Sequence, residues 1–137
     1  MDNELIRIII TGSRDFNNYN YMSEKLSFYI GVMVKSFKKT KIEIITGKSR
    51  KIDMLARQFA NENNFKLIII DADYDKHGER ANIIQNKEMV NYVTKADKSY
   101  LIAFWNGESK GTYNIINEAN KLKLATLIFI YNEELYQ

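Results

Sequence analysis

Two short loops in this chain contain the residue types that bind phosphate. Ile8-Ile9-Ile10 runs into Thr11-Gly12-Ser13-Arg14-Asp15-Phe16. Far downstream, Tyr100-Leu101-Ile102-Ala103-Phe104 runs into Trp105-Asn106-Gly107-Glu108-Ser109-Lys110-Gly111-Thr112, with a helical pattern behind it. A buried strand that empties into a Gly/Ser turn before a helix leaves backbone N–H groups unpaired, and those groups bind anions. Gly12 allows close approach of a ligand, Ser13 offers a hydroxyl, and Arg14 pairs with phosphate or carboxylate. Gly107, Ser109, Gly111 and Thr112 would serve the same ligand from the other loop, with Thr112 either capping the helix or giving its hydroxyl to a phosphate. Together the loops point to one pocket in which unsatisfied amides converge on a single anionic ligand. An ordinary strand-end turn with a solvated arginine would carry the same Gly-Ser-Arg tripeptide.

A third turn, Thr46-Gly47-Lys48-Ser49-Arg50-Lys51-Ile52-Asp53, brings three cations to a helix start. Cations there oppose the helix dipole, so their placement favours an anionic ligand over decoration, and Asp53 offsets them. Asp71, Asp73, Asp75 and His77 form a polar segment that lacks the closing glutamate of a calcium loop, so a structured loop is expected and no metal site. Asn86 and Glu88 could orient a ribose or base, and Trp105 could stack on a base or plug the sheet edge. The glycine spacing matches neither a P-loop nor Gly-x-Gly-x-x-Gly, which argues against a P-loop ATPase or a dinucleotide dehydrogenase.

The elements that must position these loops follow from hydrophobic periodicity. Residues 5–10, 42–46, 65–70, 99–104 and 125–131 are short apolar runs and read as buried strands. Met22, Leu26, Tyr29, Ile30, Met33 and Phe37 recur at helical spacing over about residues 21–38. Further helices follow Ser49, a plausible N-cap, then over residues 80–94 and from Thr112 to Leu122. Five strands alternating with helices imply an α/β, three-layer, Rossmann-like doubly wound sheet of mainly parallel strands, with helices on both faces. Strand order 3-2-1-4-5 would place the reversal between the first and fourth strands, where such sheets bind ligands and where the two Gly/Ser loops sit.

At 137 residues, 45% apolar, the chain is expected to be one domain over residues 1–131 with a polar tail at 132–137. It has no cysteine, hence no disulfide framework or thiolate zinc site. No apolar run reaches membrane-spanning length and the first residues do not resemble a signal peptide, so the cytoplasm is the expected location. The net charge of +3 is small, and Lys35, Lys38, Lys39 and Lys41 cluster where a helix end would use them, which argues against nucleic acid as the partner. The aromatic and Met-rich first helix is a candidate face for homo-oligomer association, although such a stripe is more often core.

These loops resemble the YspA-like branch of the SLOG superfamily, whose relatives include the DNA-processing protein A Rossmann domain and the Lonely Guy phosphoribohydrolases. The resemblance rests on Thr11-Gly12-Ser13-Arg14-Asp15-Phe16, on Thr46-Gly47 through Asp53 with Leu55-Ala56, and on Asp73-Tyr74-Asp75-Lys76-His77-Gly78. It continues in Asn86-Lys87-Glu88-Met89 and ends in Ala103 through Thr112. It implies a Rossmannoid domain that binds nucleotides or nucleotide-derived molecules, often in signalling or conflict systems; separately, no cofactor is expected. Where the family reads Gly-Gly-Ala-Arg-Gly-Ala-Asp, this chain has Gly47-Lys48-Ser49-Arg50-Lys51-Ile52-Asp53, and Gln85-Asn86 replaces the usual Arg-Asn. The phosphoribohydrolases carry a glutamate three residues after their Gly-Thr pair; here that position is Ile115. The expected function is therefore binding of a nucleotide-derived phosphorylated ligand by a sensor or sequestering protein. Alternatives are a nucleotide or NAD-derivative hydrolase, with Glu108, Asp15 or Asp73 as acid/base, and a single-stranded nucleic-acid binder.

Overall fold

The computed structural model describes residues 3–131; the tail read at 132–137 lies outside the described residues. The strands are β1 (Glu4–Gly12), β2 (Thr40–Thr46), β3 (Lys66–Ile69), β4 (Lys98–Trp105) and β5 (Ala125–Ile130). They form one parallel sheet in the order β3-β2-β1-β4-β5. The helices are α1 (Tyr19–Met33), α2 (Lys51–Glu62), a single-turn α3 (Tyr74–His77), α4 (Ala81–Val93) and α5 (Lys110–Lys121). The strand order reverses between β1 and β4, so the chain leaves the sheet toward opposite faces after these two strands.

Each central strand is apolar on both faces because each face meets helices. Ile6, Ile8 and Ile10 of β1 pack with Met22, Leu26 and Ile30 of α1 and Ile52, Ala56 and Phe59 of α2. Ile9, one residue out of phase, packs on the other face with Met89, Val90 and Val93 of α4 and Ile115, Ile116 and Ala119 of α5. That two-sided burial explains the unbroken apolar runs of the sequence. The α1 stripe of Met22, Leu26 and Ile30 is core, while Phe28 and Val32 of the same helix are exposed.

Some boundaries differ from the sequence expectation. The first helix ends at Met33, and Phe37–Lys39 forms a separate 3₁₀ turn, so Lys38 and Lys39 do not sit in the last turn of α1. The polar segment after β3 contains α3, capped by Asp73, whose carboxylate accepts the Lys76 N–H at 3.0 Å. Asp73 thus has a capping role within this loop. Among the described residues no helix is long and apolar enough to cross a membrane.

One charged group lies deep in the sheet. Glu43 of β2 is the register partner of Arg7 on β1, and the Arg7 Nε donates to its carboxylate at 2.9 Å. The Arg7 guanidinium also lies 4.0 Å from the centre of the Tyr92 ring and donates to the Tyr92 carbonyl at 2.9 Å, tying the sheet to the end of α4. Glu43→Ala leaves a guanidinium without its buried partner and is expected to cost about 3–5 kcal/mol in urea unfolding. The double change Arg7→Met with Glu43→Leu should recover most of that loss; equal destabilisation of single and double variants would refute this account of the pair.

Candidate functional site

The crevice is built where β1 and β4 end side by side. Gly12 pairs in register with Phe104, and a Cβ at Gly12 would sit 2.4 Å from the Phe104 carbonyl oxygen. The missing side chain serves this backbone approach, not the approach of a ligand expected from the sequence. Ser13 then donates its N–H to the Phe104 carbonyl at 3.0 Å, and its hydroxyl accepts the Asn106 N–H at 3.0 Å. Ser13 is fully buried and joins the two loops to each other.

The second loop satisfies its own amides in the same way. Asn106 Oδ1 accepts the N–H groups of Glu108 and Ser109 at 2.8 and 2.9 Å, across a turn in which Gly107 takes φ +83°. Ser109 caps α5 by accepting the Thr112 N–H at 3.4 Å, and its hydroxyl lies 3.1 Å from that of Thr112. Thr112 is therefore neither the cap nor at the surface; it is fully buried. The N–H groups of Ser13, Asn106, Glu108, Ser109 and Thr112 thus all have partners, and none of these five is open to a ligand.

Side chains provide the charge instead. Phe16 packs against Phe104 and Tyr131, with ring centres 4.9 and 5.0 Å away, and so anchors the first loop to the core. Arg14 and Asp15 are left exposed above it, and the Tyr131 hydroxyl donates to the Asp15 carboxylate. The third turn is tied down by Asp53, which is buried and accepts from the Thr46 hydroxyl and the Arg50 N–H, both at 3.0 Å. A Cβ at Gly47 would meet Asp53 and Gln85 atoms at 2.9 Å, so this glycine too serves packing. The N-cap of α2 is Arg50 rather than Ser49, and its guanidinium lies close to Gly111 across the crevice.

Two adjoining hollows result. One, of about 340 Å³, is lined in part by Arg14, Ser49, Arg50, Lys51, Tyr74 and Asn82. The other, of about 440 Å³, is lined in part by Arg14, Arg50, Asn82, Ser109, Lys110 and Gly111. Arg14, Ser49, Arg50, Ser109 and Gly111 of the expected site thus face the crevice. Gly12, Ser13, Gly47, Gly107 and Thr112 shape or support it. Asn86 is buried and ties α4 to α5, donating to Asn114 Oδ1 at 2.8 Å and to the Gly111 carbonyl at 3.3 Å. Trp105 donates its indole N–H to the Ser109 carbonyl at 3.0 Å and packs beside Tyr113, so it braces the loop from behind.

Asn82, Tyr74 and Lys110 were not among the expected site residues. The Tyr74 hydroxyl donates to Asn82 Oδ1 at 2.8 Å, which folds α3 back against α4 at the rim. A signal for Asn82 existed in its spacing, three and four residues before Gln85 and Asn86 on one helix face.

The match to known families agrees with this geometry. A sequence profile of the YspA, cpYpsA-related SLOG family matches residues 6–77, just over half of the chain. The chain belongs to that family. The matched segment runs from β1 through α3 and so carries Arg14, Ser49, Arg50, Asp71 and Tyr74; the β4–α5 loop lies beyond it. No curated protein and no solved structure matches the chain. SLOG membership carries an association with binding or processing of nucleotide-related ligands at a coarse level.

The glycines separate scaffold from surface in a measurable way. Gly12→Ala forces a methyl group onto a backbone carbonyl and is expected to lower unfolding free energy by about 1–3 kcal/mol. Gly111→Ala, whose Cβ would come no closer than 3.6 Å to the Arg50 guanidinium, should leave stability nearly unchanged. Urea titrations of both variants check this, and a Gly12→Ala protein as stable as the parent would contradict the close approach.

Proposed function

We propose that the crevice binds a nucleotide or nucleotide-derived phosphorylated molecule and that the protein acts through this binding, as a sensor or sequestering protein in signalling or phage–host conflict. The observation that carries this reading is the placement of Arg14 and Arg50. They come from different loops, line both hollows over the point of strand reversal, and neither is in an ion pair among the described residues. Lys51 and Lys110 add positive charge at the first residues of α2 and α5, where the helix dipoles already disfavour cations. An anion bound there relieves that repulsion and accepts charge-assisted hydrogen bonds. SLOG membership supports the nucleotide class of the ligand.

Glycosidic hydrolysis by the phosphoribohydrolase route would need a carboxylate at position 115. Ile115 is fully buried in the core between α4, α5 and the sheet, so no acid stands there. Ile115 speaks against that route, and ligand binding is the reading that Arg14 and Arg50 support.

Thermal-shift measurements with AMP, ADP, cyclic mononucleotides and ADP-ribose test the proposal. A ligand at about 100 times its Kd stabilises the fold by about 2.7 kcal/mol, a shift of several degrees. Arg14→Ala and Arg50→Ala should each weaken the response about tenfold or more in ligand concentration, as loss of a charged hydrogen bond worth about 1.5–3 kcal/mol requires. Absence of any shift across the panel, with Arg14→Ala behaving like the parent, would sink the reading.

A further inference from the structure

The crevice comprises two adjoining hollows, and their linings carry a charge pattern. Its hollows of about 340 and 440 Å³ share Arg14, Arg50 and Asn82 but are otherwise walled by different residues. Each alone falls within the range of a small-molecule pocket, about 300–1000 Å³. The smaller hollow has Asp71 and Tyr74 at one side and Lys51 at the start of α2. The larger has Asp15, with Lys110 at the start of α5. Each hollow therefore has a lysine and an exposed carboxylate of its own, Asp71 in the smaller and Asp15 in the larger, and both hollows are lined by Arg14 and Arg50.

These carboxylates have capacity left. Asp71 accepts the Ala72 N–H through Oδ1 at 2.9 Å, and Asp15 accepts the Tyr131 hydroxyl through Oδ1. The second oxygen of each has no hydrogen bond among the described residues. Asp53, also in the smaller hollow, differs in that both of its oxygens are engaged. A carboxylate repels a neighbouring phosphate but accepts hydrogen bonds from sugar hydroxyls and base amino groups. Acceptor, guanidinium pair, acceptor is the complement of a hydroxyl-bearing group, a phosphate and a second hydroxyl-bearing group. A mononucleotide would answer one hollow and leave the carboxylate and lysine of the other to water.

We propose that the crevice selects dinucleotide-type ligands, with two nucleoside- or sugar-bearing arms joined through phosphate, over mononucleotides. This inference rests on the nucleotide-binding reading above. The phosphate bridge lies across Arg14 and Arg50. One arm lies against Asp71 and the exposed ring of Tyr74, and the other against Asp15 beside Lys110. Binding involves no bond making or breaking.

Isothermal titration of the full chain at one ionic strength decides the matter, with AMP, ADP and ribose 5-phosphate as one-armed probes. ADP-ribose and cyclic di-AMP serve as two-armed probes with a pyrophosphate and a phosphodiester bridge. At least one two-armed probe should bind about tenfold or more tightly than every one-armed probe. Asp71→Ala and Asp15→Asn, the latter keeping an acceptor for Tyr131, should each weaken that probe about tenfold, while AMP responds to only one of them. If either variant fails to fold, Tyr74→Ala and Lys110→Ala, at exposed side chains, take their places. AMP or ADP binding as tightly as both two-armed probes, or one hollow's variant remaining silent for every probe, overturns the proposal and leaves mononucleotide binding standing. No binding by any probe removes the nucleotide reading itself, and the proposal with it.

Discussion

Where β1 meets β4, the absence of a single methyl group lets the Ser13 N–H reach the Phe104 carbonyl at 3.0 Å. That contact brings the first loop onto the end of β4, and the Ser13 hydroxyl then takes the Asn106 N–H to lock the second loop to it. Ser13 and Phe104 are fully buried and Asn106 is half-buried, so breaking the Ser13–Phe104 bond would leave a polar group unpaired away from water, a cost of about 1–3 kcal/mol. The loops on which Arg14 and Ser109 stand are held by this joint. Phe16 reinforces it from below through its contact with Phe104, so the chain between Gly12 and Phe16 is pinned at both ends and bulges toward solvent at Arg14 and Asp15.

A second joint controls the other wall. Asp53 reaches back from the first turn of α2 to the Thr46 hydroxyl and the Arg50 N–H, closing the β2–α2 turn around a buried carboxylate. This carboxylate offsets part of the positive charge gathered at the start of α2, where Arg50 and Lys51 face the unpaired end of the helix. Side chains of like charge held together at a concave, partly desolvated surface raise the local potential and attract anions from solution. The fold tolerates that arrangement because the parallel sheet, apolar on both faces, supplies the stability that the crevice does not.

Much of the scaffold could be read from residue order. Apolar runs such as Ile8-Ile9-Ile10 and Leu101 through Phe104 announce strands covered on both sides, and only a parallel sheet with helices on each face covers them so. The reversal between the first and fourth strands followed from the common doubly wound order 3-2-1-4-5, and with it the location of the crevice. Helix ends were less legible. Met33 ends α1 although Phe37 continues the spacing, and the cap of α2 fell one residue beyond Ser49. Terminal residues depend on local hydrogen bonds that periodicity does not encode.

The order of the chain puts the two Gly/Ser loops and the cationic turn after β1, β4 and β2, and in a parallel sheet that alone places Arg14, Arg50 and Lys110 at one end. Which of those residues face a ligand was decided only by packing in three dimensions. Ser13 and Thr112 offer hydroxyls in the sequence, yet burial commits both to the framework, and Trp105 turns to brace its own loop. Tyr74 and Asn82 reach the rim because α3 folds back on α4, a contact between segments whose polar composition alone does not reveal a partner. Proximity across strands is set by register and burial, and neither is written in the local order of the chain.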